Sequence, residues 1–176
     1  MANDSRIIGS EPTLSKVSLS DVTSSPEALV GTRRFEKGAD WIYGYNGATN
    51  AEIRKNRGCR WQTNASGYTV TGEILEPTTC MTSNDFLFGV VVNASIPTGY
   101  YGWIMTRGQC NVVVSQSVAV GGEWFHMVLS GAFTTCTSVT GNSTHAQVRA
   151  AGVYLASGSD TTTTETVAAY IKSYWV

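Results

Sequence analysis

At 176 residues and a formal net charge of −1, the chain is long enough for one domain with a real core and too neutral for a basic nucleic-acid binder. Charged residues make up 14%, against about a quarter in an ordinary sequence, while 18 serines and 22 threonines supply the polar surface. That excludes a charge-rich disordered chain and a coiled coil, and no run approaches the roughly 18 apolar residues of a membrane helix.

The opening Met1-Ala-Asn-Asp-Ser has no positive stretch leading into an apolar one, so synthesis in the cytoplasm is expected. Residues 1–25 carry seven serines and scattered Leu14, Val17, Leu19 and Val22 without sustained periodicity. They read as an extended arm that orders on a partner, for instance by strand addition, or stays a loose terminus. Ser25-Pro26-Glu27-Ala28-Leu29-Val30-Gly31 has the cap, first-turn proline and closing glycine of a one-turn helix. The expected organisation is an arm over 1–30 and a single domain over 31–176.

From Gly31 the pattern is strand and turn. Thr32–Phe35, the turn Glu36-Lys37-Gly38 and Asp40–Asn46 predict a hairpin, with Trp41, Tyr43 and Tyr45 on one face. Tyr68, Val70, Gly72 and Ile74 alternate as a half-exposed strand. Phe86–Val92 and Tyr100–Met105 are apolar on both faces, and Arg107-Gly108 separates the latter from Val112–Val118. Glu123–Leu129, Gln147–Leu155 and Glu165–Trp175 complete an all-β fold of about nine to eleven short strands, a sandwich or jelly-roll-like barrel. Between Pro77 and Val148 the charged residues are Asp85, Arg107 and Glu123. Strands apolar on both faces need cover on both faces, so self-association is expected through Phe86, Phe88, Tyr100, Tyr101, Trp103 and Trp124; a thick fold covered by its own loops is the alternative.

Reactive chemistry is sparse. Cys59, Cys80, Cys110 and Cys136 include no CxxC pair and read as free, half-buried thiols. Glu123 and His126 fall on opposite faces of a strand, so no metal site is expected. No framed nucleophile, phosphate loop or carboxylate pair stands out, so neither catalysis nor a cofactor is expected. Arg54, Lys55, Arg57 and Arg60 form a basic cluster that Arg33, Arg34 and Lys37 can extend. Overall neutrality favours an acidic protein surface over nucleic acid as its partner. The aromatics of 41–45 and 100–103 are either sheet core or a carbohydrate or peptide platform.

Two stretches resemble a known family. Gly31-Thr-Arg-Arg-Phe-Glu-Lys-Gly-Ala-Asp-Trp-Ile-Tyr-Gly-Tyr-Asn-Gly-Ala is similar to the opening of small tailed-bacteriophage head proteins: a "GT" element, a tight turn and an aromatic-rich strand. Phe88-Gly-Val-Val-Val-Asn-Ala, Gly99-Tyr-Tyr-Gly-Trp and the valine-rich Asn111–Val120 before Gly121-Gly122 resemble their middle. The resemblance, over 31–48 and 88–125, is to capsid decoration, or cement, proteins. It implies a non-enzymatic virion protein on the outer capsid surface. Its partners would be the major capsid protein and itself, as a homotrimer or alternatively a homodimer, with neither nucleic acid nor membrane bound. The expected docking residues are Leu14, Val17, Leu19 and Val22 in the arm, with Arg33, Arg34, Arg54, Lys55, Arg57 and Arg60 facing acidic shell surface. A host-recognition or glycan-binding β module is the alternative.

Overall fold

The computed structural model describes residues 17–48, 52–61, 69–71, 87–114, 124–127, 131–135, 152–154 and 165–172. Among them the chain is all-β, as expected, with no α-helix. The strands are β1 (Arg33–Glu36), β2 (Ala39–Asn46), β3 (Arg57–Trp61), β4 (Thr69–Thr71), β5 (Leu87–Val91), β6 (Tyr101–Val114), β7 (Trp124–Met127), β8 (Phe133–Thr135), β9 (Gly152–Tyr154) and β10 (Glu165–Lys172). Their order in the sheet is β1-β2-β4-β3-β5-β6-β10-β9-β7-β8, and β6 pairs in addition with β2 and β8. The ladder therefore returns to β6 twice, once through β2-β4-β3-β5 and once through β10-β9-β7-β8. Most pairs are antiparallel; β2–β4 and β6–β8 are parallel.

The predicted hairpin forms as β1 and β2, closed by Glu36↔Ala39. Lys37 and Gly38 take φ of 54° and 75°, the left-handed pair that a two-residue turn of matching twist requires. The one-turn helix expected over 25–31 does not form. The segment is a run of bends and turns, in which the Thr32 amide donates to Leu29 O at 2.9 Å. Gly31 does adopt positive φ, 92°, but its amide and Thr32 O are taken by Tyr43 of β2. A helix there would forgo those ladder bonds, and Leu29, 82% exposed, offers it nothing to bury.

β6 differs from expectation in a second way. Arg107-Gly108 does not end a strand; the strand runs through it for 14 residues. Asp40 pairs with Arg107 and Trp41 with Met105, so Thr106 is the extra residue of a bulge. Thr106 is buried, and its Oγ1 donates to Asp40 O at 3.2 Å. The bulge reverses the alternation of faces. Trp103 and Met105 before it, and Val112 and Val114 after it, all reach one core. Without the extra residue, Val112 and Val114 would turn to the opposite face.

That core also takes Ala39, Trp41 and Tyr43 from β2, Val90 from β5, Phe133 from β8 and Val167, Ala169 and Ile171 from β10. A second cluster gathers Ile42, Ile53, Cys59, Val91, Ile96 and Ile104. Alternation along β2, β5 and β6 sends neighbouring residues to different clusters. The chain thus covers both faces of these strands itself, and Trp103, expected at an interface between copies, is 2% exposed inside its own core.

The bulge makes a quantitative expectation. Gly108 has φ of 136°, and a Cβ there would lie 2.6 Å from Ala39 Cβ. Gly108→Val combines backbone strain with overpacking and should destabilise by about 3 kcal/mol in urea denaturation, whereas the same change at a ladder position with ordinary φ and open space would shift the midpoint little.

Candidate functional site

The two regions that the sequence singles out, the N-terminal arm and the aromatics of 41–45 and 100–103, meet on one face of the β2–β6 pair. Tyr43↔Trp103 and Tyr45↔Tyr101 are direct cross-strand partners. Alternation puts all four rings on the same face, and the ladder spacing brings them into contact. Tyr43 meets Trp103 edge-on at 5.2 Å and stacks diagonally on Tyr101 at 6.2 Å, while Tyr45 and Tyr101 lie 4.8 Å apart. Arg34 extends the file, its guanidinium 5.9 Å from the Trp103 ring centre.

Residues 17–32 cross this file as a strap. Arg34 Nη1 donates to Val17 O at 2.7 Å and also pairs with Glu36. Asn93 Nδ2 donates to Leu19 O at 3.0 Å. Thr23 and Tyr101 exchange backbone hydrogen bonds, Thr23 N to Tyr101 O at 3.1 Å and Tyr101 N to Thr23 O at 2.8 Å. The Glu27 amide donates to Tyr43 Oη at 3.2 Å. Thr23 Oγ1 donates to Ser25 O, so the Tyr43 hydroxyl donates to Thr23 Oγ1, at 3.4 Å. The strand addition imagined for the arm on a partner occurs, at one position, on the chain's own β6.

The strap corrects part of the expected docking set. Val17 and Leu19 are 6% and 8% exposed in the first core cluster, and Val22 packs against the second. Side chains buried in their own core have no area left for a shell. Arg34 is half-buried and engaged as described, so it does not face outward as expected; Arg33 does, on β1. Arg57, the first residue of β3, is partly buried; Lys55 is exposed and Arg54 partly buried in the turn before it. That turn is held by Asn56, φ 62°, whose amide donates to Val91 O at 2.6 Å while its carbonyl accepts from Val113 at 2.8 Å. Arg60 lies on β3. Of the expected self-association residues, Tyr100 is 37% exposed and Tyr101 partly buried. Phe88 and Trp124 lie on β5 and β7. Leu14 and Phe86 fall outside the described residues.

Sequence reasoning missed a buried amide at the end of β2. Asn46 is fully buried; Nδ2 donates to Ile96 O at 2.9 Å, and Oδ1 accepts from the Ala48 amide at 3.1 Å. Asn46-Gly47 reads simply as a turn, and nothing local signals that the side chain points inward.

Among the described residues, no three His, Cys, Asp or Glu side chains come together. Cys59 and Cys110 are free thiols, and burial pushes both pKa values up to about 12. Cys59 is wholly inside, with Sγ donating to Gly89 O at 3.4 Å. Cys80 and Cys136 lie outside the described residues.

No family model and no curated protein matches the chain. Among solved structures it is similar to the head fiber gp8.5 N base of bacteriophage phi29, at 10% identity and a TM-score of 0.48, over 75% of this chain and 92% of that one. At that score the likeness assigns neither fold nor role.

Two outcomes follow from the geometry. Tyr43→Phe keeps the aromatic file and removes the hydroxyl, leaving the Glu27 amide without its acceptor. It should lower stability by about 1 kcal/mol and speed amide exchange at Glu27 more than in β10, as read by NMR. Iodoacetamide at pH 8 should leave Cys59 and Cys110 unlabelled in the folded chain and label both after denaturation, read by peptide mass spectrometry; raised pKa keeps both as thiols, and the thiolate is the reactive form.

Proposed function

We propose that this protein is a structural component of a tailed-phage virion, a decoration or cement protein that binds the outer capsid surface and clamps neighbouring major capsid subunits. The observation that carries the reading is the pairing of the two stretches on which the sequence resemblance rests. Residues 31–48 supply β1 and β2, residues 88–125 supply most of β5 and all of β6, and β2 pairs with β6 from Asp40↔Arg107 to Tyr45↔Tyr101. The resembling parts thus form one hydrogen-bonded unit, which supports reading them together.

Physics supports the role. A protein held at many equivalent shell positions needs only weak single contacts, because several copies or several contacts per copy multiply into avidity. A low-charge, hydroxyl-rich surface tolerates dense packing beside identical copies. The docking surface in this reading is residues 1–16, including Leu14, with outward-facing Arg33 and Lys55 beside Arg54 and Arg57. Val17 and Leu19 are excluded from it by their burial. Homotrimeric assembly, or alternatively a homodimer, belongs to the same proposal.

A glycan-binding virion module is the second reading. It is favoured by the open end of the aromatic file, where partly exposed Tyr45 and Tyr101 lie beside exposed Tyr100.

Co-sedimentation with expanded heads assembled without this chain tests both. Full-length protein should saturate the heads at a fixed copy number and raise their resistance to heat. Deletion of residues 2–16, which spares Val17 and Leu19, should keep the melting temperature and weaken binding at least tenfold. Absence of binding by the full chain, with glycan-array binding instead, would favour the second reading; undiminished binding by the truncated chain would remove the arm from docking.

A further inference from the structure

β1 is an end strand of the sheet. It pairs with β2 alone among the described residues, which leave its other edge open. Glu36↔Ala39 closes a two-residue hairpin and is therefore a hydrogen-bonded pair, as is Arg34↔Trp41 two residues along. Alternation leaves the N–H and C=O of Phe35 pointing to the open edge, with those of Arg33. Proteins usually blunt such an edge with a charge, a proline or a bulge. Here the middle of the edge is Phe35, 73% exposed, the most exposed aromatic of the described residues.

The order of side chains along this edge specifies what fits it. Arg33 and Phe35 project to one face of the sheet, Arg34 and Glu36 to the other. A second copy related by a two-fold axis perpendicular to the sheet pairs antiparallel, and only registers that keep these faces together are allowed. Centring on Arg34 sets that arginine against its own copy. Centring on Glu36 sets carboxylate against carboxylate. Centring on Phe35 sets Phe35 against the partner's Phe35, and Arg34 against the partner's Glu36 twice over. The open backbone groups of Phe35 then satisfy those of the partner's Phe35. Arg34 and Glu36 already pair within the strand, so two such pairs side by side give an alternating four-charge array. Cross-strand aromatic and opposite-charge pairs are the arrangements that stabilise an antiparallel ladder, and like charges directly opposite destabilise it. The same register brings Arg33 toward the partner's Lys37, but Lys37 lies in the turn at φ 54° and outside the ladder, which is thereby limited to residues 34–36.

We infer that the open edge of β1 is a self-association site, where two copies join antiparallel through Phe35 in a single register chosen by Arg34 and Glu36. The edge is self-complementary in shape, hydrogen bonding and charge, which selects a second copy of this chain over a foreign strand. The ladder is short, so the dimer is weak and concentration-dependent in solution. It differs from self-association through 86–129, and it stands whether or not the protein binds a capsid.

The decisive probe is Phe35→Cys. Directly opposed residues of a hydrogen-bonded antiparallel pair have Cα atoms about 5.5 Å apart, within disulfide reach. Air oxidation of the full chain should convert most of this variant to a disulfide-linked dimer at 100 μM. Mass spectrometry should then find the peptide cross-linked through the introduced thiols of both copies. The wild-type chain, carrying its own four cysteines, and Asn111→Cys, at an exposed site on β6, should stay at a low background. In sedimentation velocity the wild type should show a coefficient rising with concentration. Phe35→Lys, at an exposed site outside the Arg34–Glu36 pair, should abolish the rise with an unchanged melting temperature. Cross-linking of Asn111→Cys equal to that of Phe35→Cys would reduce the contact to random collision and overturn the inference. So would a wild type that stays monomeric together with a Phe35→Cys variant that yields no cross-linked peptide, which would mean that the edge is covered by other means.

Discussion

The hydrogen bonding of β6 to its neighbours is the interaction on which the rest of the structure depends. Its first half is bonded to β2 along six rungs and touches β5 at Val90↔Met105; its second half is bonded to β10 along eight. Both circuits of the pairing ladder pass through it. A strand in this position cannot alternate simply, because its two halves must serve one core from different neighbours. The extra residue at Thr106, with Gly108 beside it, resolves the conflict by one step of register. Buried Thr106 keeps the bulge satisfied through its bond to Asp40 O, as a buried hydroxyl must be.

The same pair of strands explains the aromatic file and the strap. Rings placed at opposite rungs of β2 and β6 must touch, and a file of partly polar aromatics needs a cover that supplies partners for Tyr43 Oη as well as area for Trp103. Residues 17–32 do both, with Val17 and Leu19 contributing apolar contact and Thr23 and Glu27 contributing polar partners. The strap is thereby part of the body's core. Among the described residues, the surface left to meet another molecule is reduced to edges, turns and the open end of the file. This shifts the surfaces of interest away from Val90, Val91, Trp103, Ile104 and Met105 of β5 and β6, which the chain buries by itself, and toward β1 and the basic residues of 54–57.

Local signals were legible wherever a few adjacent residues decide the conformation. Lys37-Gly38 between alternating runs specified the hairpin, because left-handed φ is tolerated there and the twist matches. Alternation at Trp41, Tyr43 and Tyr45 specified a shared face. The last strand and the absence of helical period were equally plain. β3 and β8 were not expected. β3 lies within the basic cluster, where Arg57 and Arg60 hide the strand pattern, and β8 is three residues with no period to read.

Length, neutrality, the all-β class and the main hairpin were thus determined by the sequence alone, since composition and short-range periodicity are properties of neighbours in the chain. Only the tertiary structure decided that Arg107-Gly108 is a bulge and not a break, that Ser25–Gly31 is a strap and not a helix, and that Val17, Leu19 and Trp103 face inward. Each of these depends on a partner remote in the chain: Asp40 for Thr106, Tyr43 for Gly31 and Thr32, and Arg34 for Val17. A residue's own neighbours carry no information about such partners, so the low charge that marks the middle of this chain could not distinguish cover by a second copy from cover by the chain's own strap and opposing strands.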